Sequence, residues 1–162
     1  GPAWDDITGV WSHIGNTEIV IGVCALAVAV LWWRTRQWWY AVIPALAISL
    51  QASVFVPATE ITGRQRPLVE HLDPAPPTSS FPSGHMGAST ALYVTFAVIA
   101  QRIERVWLRR LVTAVCLVIP LLVGFARVYR GMHHVSDVLV GAINGLVCAA
   151  LAWLALRRRR ER

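Results

Sequence analysis

Lysine is absent from this chain, and all 15 basic residues are arginine. Acidic residues are few as well, 9 against those 15, which leaves a formal net charge of +6 at pH 7. Such a balance suits a nucleic-acid partner when the cations form a patch or stripe. Here they stand in short clusters between apolar blocks, the pattern of membrane topology, and a nucleic-acid partner is excluded on that ground. Cysteine is limited to Cys24, Cys116 and Cys148, each inside an apolar block and none in metal-ligand spacing with histidine. They are read as small, buried, reduced core residues, and no zinc site is expected. Missing too is a basic region ahead of the first apolar block, so no cleavable signal peptide is expected; the opening Gly1-Pro2 fits a scar of tag removal.

What is present in quantity is apolar sequence. Of 162 residues 56% are hydrophobic, mean hydropathy is +0.52, and the apolar residues come in long blocks. An all-α, polytopic membrane bundle in a single domain, 1–162, follows. Five spans are predicted, over about 19–33, 38–56, 83–100, 111–126 and 135–156, with Pro44 as a kink in the second. Residues 1–18 mix Trp4 and Trp11 with Asp5, Asp6 and Glu18, and read as a short interfacial helix. The segment 57–82 differs in kind. Pro57, Pro67, Pro74, Pro76, Pro77 and Pro82 with several charges bar it from a bilayer, and a loop of that length is more often functional than idle.

Arginine placement orients the bundle. With five spans, Arg34, Arg36, the cluster Arg102, Arg105, Arg109 and Arg110, and the basic tail at 157–162 share one side, which is cytoplasmic by the positive-inside tendency. Trp32, Trp33, Trp38, Trp39, Trp107 and Trp153 fall near that same interface, as an aromatic belt would. The opposite side holds only Arg64, Arg66, Arg127 and Arg130, together with all five histidines. Every chemically suggestive residue therefore lies at one end of the bundle, facing away from the cytoplasm.

Phe81-Pro82-Ser83-Gly84-His85 closes the proline-rich loop and opens the third span. The first N–H groups of a helix lack internal partners and carry partial positive charge, which suits an anion such as phosphate. Ser83 is a plausible N-cap, and the Gly84 N–H can approach an oxygen without side-chain obstruction. Arg66 and Arg127 flank this point in sequence, and a guanidinium fork matches phosphate oxygens bidentately. Arg130 reads instead as a snorkelling or headgroup-binding arginine. His133 and Asp137, four apart, share a helix face, an arrangement in which a carboxylate orients a nucleophilic histidine. A polar helix start with Asp137 as its cap explains that pair equally well. His134 reads as a neighbour of the nucleophile and His71 as a loop residue. No carboxylate cluster joins His133 and His134, so no metal is expected.

Arg66-Pro67, Pro82-Ser83-Gly84-His85 and Arg127-x5-His133-x3-Asp137 together resemble the three signature motifs of the type 2 phosphatidic acid phosphatase superfamily, in order, over about residues 59–137. That superfamily comprises membrane lipid phosphate phosphatases and soluble vanadium haloperoxidases; the membrane spans favour the first. The resemblance implies hydrolysis of a lipid phosphate or diphosphate without metal or cofactor. His133 would attack phosphorus with Asp137 orienting it, and His85 would serve as acid and then base. Arg66, Arg127, Ser83 and Gly84 would hold the phosphoryl oxygens. The family's first motif begins with a lysine where this chain has Thr59, and Arg64 is expected to supply the missing charge. Ala126 replaces the serine usual before the third-motif arginine. The expected substrate is a polyprenyl phosphate or diphosphate first, and phosphatidylglycerol phosphate or phosphatidate second. A bacterial plasma membrane is the expected location, and a non-catalytic lipid-phosphate binder is the rival reading.

Overall fold

A computed structural model describes residues 1–157, so of the basic tail expected at 157–162 all but Arg157 lies outside the described residues. Among these, every regular element is helical: α1 (Pro2–Ile14), α2 (Thr17–Thr35), α3 (Trp38–Ala41), α4 (Ile43–Thr62), α5 (Gly84–Ala100), α6 (Val106–Tyr129) and α7 (Val135–Arg157). Four stretches are long and apolar enough to cross a membrane, namely Thr17–Thr35, Ile43–Thr62, Val106–Tyr129 and Val135–Leu156. Their outward faces carry exposed aliphatic side chains such as Leu26, Leu121, Leu139 and Ile143, which water would penalise and lipid accommodates.

The remaining expected span, third in the chain, is α5, and it has 17 residues. At 1.5 Å per residue it is roughly 25 Å long, short of a bilayer core of about 30 Å. It has no need to match the lipid, because α2, α4, α6 and α7 all pack around it. Glycine permits the closest of these approaches. A Cβ on Gly141 would stand 2.5 Å from the Ser83 carbonyl oxygen, and one on Gly145 would stand 2.5 Å from that of Gly87. The Gly141-x3-Gly145 pair thus serves packing within the chain, holding α7 against the start of α5.

Two helix boundaries depart from the sequence reading. Pro44 does not kink a continuous helix: α3 ends at Ala41, and Pro44 opens α4 in the first turn, where its missing N–H costs nothing. At its other end α4 continues through Pro57 to Thr62 and stops where Gly63 takes a left-handed φ of 58°. Pro57 forfeits one backbone hydrogen bond near the helix end, too little to stop the helix there. The loop expected from residue 57 therefore begins at 63.

Val20 and Cys24 of α2, Leu92, Tyr93 and Ala97 of α5, and Cys116 of α6 form one core cluster. Tyr40, Ile43, Ala47, Ala91 and Ala152 form a second, nearer the end that carries the arginine cluster, where the Arg102 guanidinium stacks 3.9 Å from the Tyr40 ring centre. All three cysteines are free and buried, as expected.

Candidate active site

At the other end, the loop between α4 and α5 folds back on itself. Ser80 N donates to the Arg64 carbonyl at 2.8 Å, Ser80 Oγ to the Gln65 carbonyl at 3.1 Å, and Arg64 N to Ser79 Oγ at 2.9 Å. This pairs the first motif with the residues just before the second. Two further bonds dock the loop on the α6–α7 turn: Arg66 Nη1 to the Met132 carbonyl at 2.8 Å, and Ser83 N to the Asp137 carbonyl at 3.0 Å. Three stretches distant in sequence thereby meet at one place.

His133 is 5% exposed and its Nδ1 lies 2.7 Å from the Ser80 carbonyl oxygen. A carbonyl oxygen can only accept, so the proton is on Nδ1 and Nε2 keeps its lone pair. Burial, and after it the positive charge of Arg127, hold the His133 ring down at about 4, which leaves it neutral at pH 7. Asp137, expected to orient this ring, is fully buried with its Oδ2 3.9 Å from His133 Nδ1, beyond hydrogen-bond reach. It accepts instead from the His134 backbone N–H at 2.8 Å and from Arg64 Nη1 at 2.7 Å. The nearer Ser80 carbonyl is the group that holds the His133 ring, and Asp137 holds the His134 backbone N–H of the turn.

That pairing corrects the role given to Arg64. Its Nη1 is engaged by Asp137 and by Ser136 Oγ at 2.8 Å, and Arg64 is absent from the lining of the cavity that Arg66 and Arg127 share. Thr59 reaches only the Ser79 carbonyl, at 3.5 Å. Ser83 is fully buried, and its hydroxyl caps α5 by accepting from Met86 N at 3.4 Å.

The expected residues that do come together are Arg66, Gly84, His85, Arg127 and His133, which line one cavity of about 570 Å³. Below them this cavity continues along Val20, Ile21, Ile48, Ala52, Phe55 and Ala88, an apolar slot between α2, α4 and α5. The Nε atoms of Arg66 and Arg127 are buried with no hydrogen-bond partner. Burial draws the Arg66 guanidinium below its ordinary value, with the charge of Asp137 opposing. Two guanidinium groups lining one cavity, each with a buried N–H that has no acceptor in the protein, suit an anionic ligand there.

A second cavity of about 510 Å³ adjoins the first, sharing His85 and Arg127 and bordered by Ser12, His13, Asn16 and Asp73. Sequence reading missed this wall. Asp73 accepts from Arg127 Nη1 at 2.9 Å, Arg130 Nε at 2.8 Å and Ser12 Oγ at 2.7 Å. Burial pushes its carboxyl up, but the bonds from Ser12 and Arg130 and the charges of Arg130 and Arg127 outweigh that and hold it below the usual range. Arg130 is correspondingly no snorkelling residue: it is buried and also donates to the carbonyls of Asp5 at 2.8 Å and Leu72 at 2.9 Å. The one signal available beforehand was an aspartate on the same outer side as two arginines.

The sequence model of the PAP2 superfamily matches residues 38–161. The chain belongs to the PAP2 superfamily. It is a membrane-embedded hydrolase of the lipid phosphatase class. Among solved structures, the transmembrane PAP2-type phosphatidylglycerolphosphate phosphatase of Bacillus subtilis is 25% identical with a TM-score of 0.86, covering 94% of this chain and 76% of that one. LpxE of Aquifex aeolicus is 22% identical with a TM-score of 0.74, covering 94% and 86%, and this likeness shows the PAP2 fold alone. No curated protein sequence matches.

Proposed function

We propose that this PAP2 enzyme hydrolyses a membrane lipid phosphate through a phosphohistidine on His133. The supporting observation is the pair of buried, unpartnered Nε–H donors of Arg66 and Arg127 on one cavity with His85 and His133. The Nε2 lone pair of His133 attacks phosphorus, the bond from phosphorus to the lipid oxygen breaks, and that oxygen takes the second proton of a His85 ring that the bound phosphate dianion holds in its charged form. Water then attacks the phosphohistidine, His85 accepts its proton, the P–N bond breaks with its electron pair returning to Nε2, and phosphate leaves. Arg66, Arg127 and the N–H groups at the start of α5 meet the charge that builds on the phosphoryl oxygens, so arginine supplies the cations of the reaction.

The lipid tail occupies the slot along Val20, Ile48 and Phe55. Of the expected substrate classes, phosphatidylglycerol phosphate has the support of the 25% identical relative that acts on it. A polyprenyl phosphate or diphosphate, the first guess from sequence, is served by the same slot. The site faces the extracytoplasmic side of a bacterial plasma membrane, by the distribution of arginine.

Phosphate release from phosphatidylglycerol phosphate, phosphatidate and polyprenyl phosphates, in detergent with EDTA, tests this. Wild type is expected to turn over at least one of them with EDTA present, and His133→Ala none. Activity that EDTA abolishes, or that survives in His133→Ala, would sink the mechanism.

A further inference from the structure

The turn between α1 and α2 is built against His85. Asn16 takes the N-cap position of α2, for which asparagine is among the best residues, yet its side chain makes no capping hydrogen bond. The carboxamide is turned elsewhere. Asn16 Nδ2 donates to His13 Nδ1 at 3.0 Å, which leaves Oδ1 for His85 Nε2, 2.9 Å away. The preceding residue makes the approach possible. A Cβ on Gly15 would stand 3.2 Å from Cδ2 and 3.3 Å from Cβ of His85, and 2.7 Å from a methyl of Val123. Asn16 borders the polar second cavity and is absent from the lining of the lipid slot, so it holds the ring from the side away from the lipid tail. It also lies outside residues 38–161, the stretch matched by the PAP2 family model.

We propose that Asn16 is a positioning residue for His85: its carboxamide oxygen accepts from Nε2–H, fixes the ring's orientation and tautomer, and reserves Nδ1 for proton exchange. The forgone helix cap is replaced by the bonds to His13 and His85, and the oxygen that would have capped α2 is the atom that meets His85. The charged and titratable groups around the ring are Arg127 of α6, His133 of the α6–α7 turn, Asp73 and Arg66 of the loop and, through Asn16, His13 of α1. None of them contacts Nε2, so Asn16 alone sets the proton there.

The inference rests on His85 as the acid and base of the proposed hydrolysis, and two kinds of readout separate the two ideas. With full-length enzyme in detergent, Asn16→Ala is expected to lower kcat by about tenfold or more with KM within about twofold, since proton transfer suffers and lipid binding does not. Asn16→Asp is expected to restore turnover and to move the pH limb belonging to His85 upward, because a carboxylate at Oδ1 favours the charged ring. The second readout needs no substrate. In ¹⁵N-histidine spectra, with His85→Gln assigning the signal, wild type is expected to show the Nε2-protonated ring, and Asn16→Ala a mixture of tautomers. Unchanged or raised kcat in Asn16→Ala, or the same His85 spectrum in both proteins, overturns the proposal. An inactive wild type would overturn the function instead, and the spectra would still decide whether Asn16 holds the ring. Thermal unfolding of each variant guards against misfolding, and the spectra are compared only between folded proteins.

Discussion

At His133 it is the Ser80 carbonyl, and not the Asp137 carboxylate, that lies within hydrogen-bond range of Nδ1, and the ring's burial has a consequence in pH. Burial and the Arg127 charge hold the ring at about 4, below the ordinary histidine value of 6.5. The neutral form, which the proposed attack requires, therefore persists down to about pH 4. The acid limb of kcat/KM, which reports the free enzyme, is expected near 4 and not near 6.5. A limb near 6.5 assigned to His133 would contradict the burial seen here. Arg66→Ala and Arg127→Ala are each expected to lower kcat by about 10²–10³-fold, the usual loss for one donor to a developing oxyanion, as measured by phosphate release. Arg66, His85, Arg127 and His133, which line one cavity, were legible in the sequence because their side-chain types stand out in the motifs. Ser80 acts through its backbone carbonyl, which every residue possesses, so its identity announced nothing.

Elements matter through their spacing. Gly145 lies where a Cβ would meet the Gly87 carbonyl oxygen at 2.5 Å, Thr90 Cβ at 2.6 Å and Ala91 N at 2.9 Å. Two of these are backbone and cannot rotate away. Gly145→Ala is expected to push α7 off α5 and to destabilise by about 1–3 kcal/mol, read by thermal unfolding in detergent. Phosphate release should fall with it, since α5 presents Gly84 and His85. The loop 63–83 is fastened differently, by the clasp of Asp73 on Arg127, Arg130 and Ser12. Asp73→Asn leaves two buried guanidinium groups short of charge, and an expected loss of about 2–4 kcal/mol is checked by the same unfolding measurement. Acid acts likewise. The Asp73 carboxyl is held below its ordinary 3.8, so its contribution is complete above that pH and is lost as pH falls beneath it. The clasp was not legible because a loop aspartate has no periodicity to place it, whereas the apolar blocks revealed the helices by length alone.

Over the whole molecule, the proposed sidedness can be tested directly. Leu68 is 96% exposed on the site loop, and Trp107 is exposed beside the arginine cluster at the opposite end. After replacement of Cys24, Cys116 and Cys148, a membrane-impermeant thiol reagent on intact cells is expected to label Leu68→Cys, and Trp107→Cys only after lysis. The reverse pattern would place the catalytic end in the cytoplasm. By itself the sequence determined the helical class, the apolar blocks and the motifs that mark the PAP2 superfamily. These depend on hydropathy and side-chain identity, both local properties of the chain. Tertiary structure alone decided that Asp137 holds Arg64 instead of His133, that Asp73 holds Arg127 and Arg130, and that Asn16 reaches His85. Each of those contacts joins side chains 54 to 73 residues apart, from Asp73 with Arg127 to Arg64 with Asp137. Only the packing of the helices on one another and on the loop 63–83 brings such groups within hydrogen-bond range, and no local pattern records it.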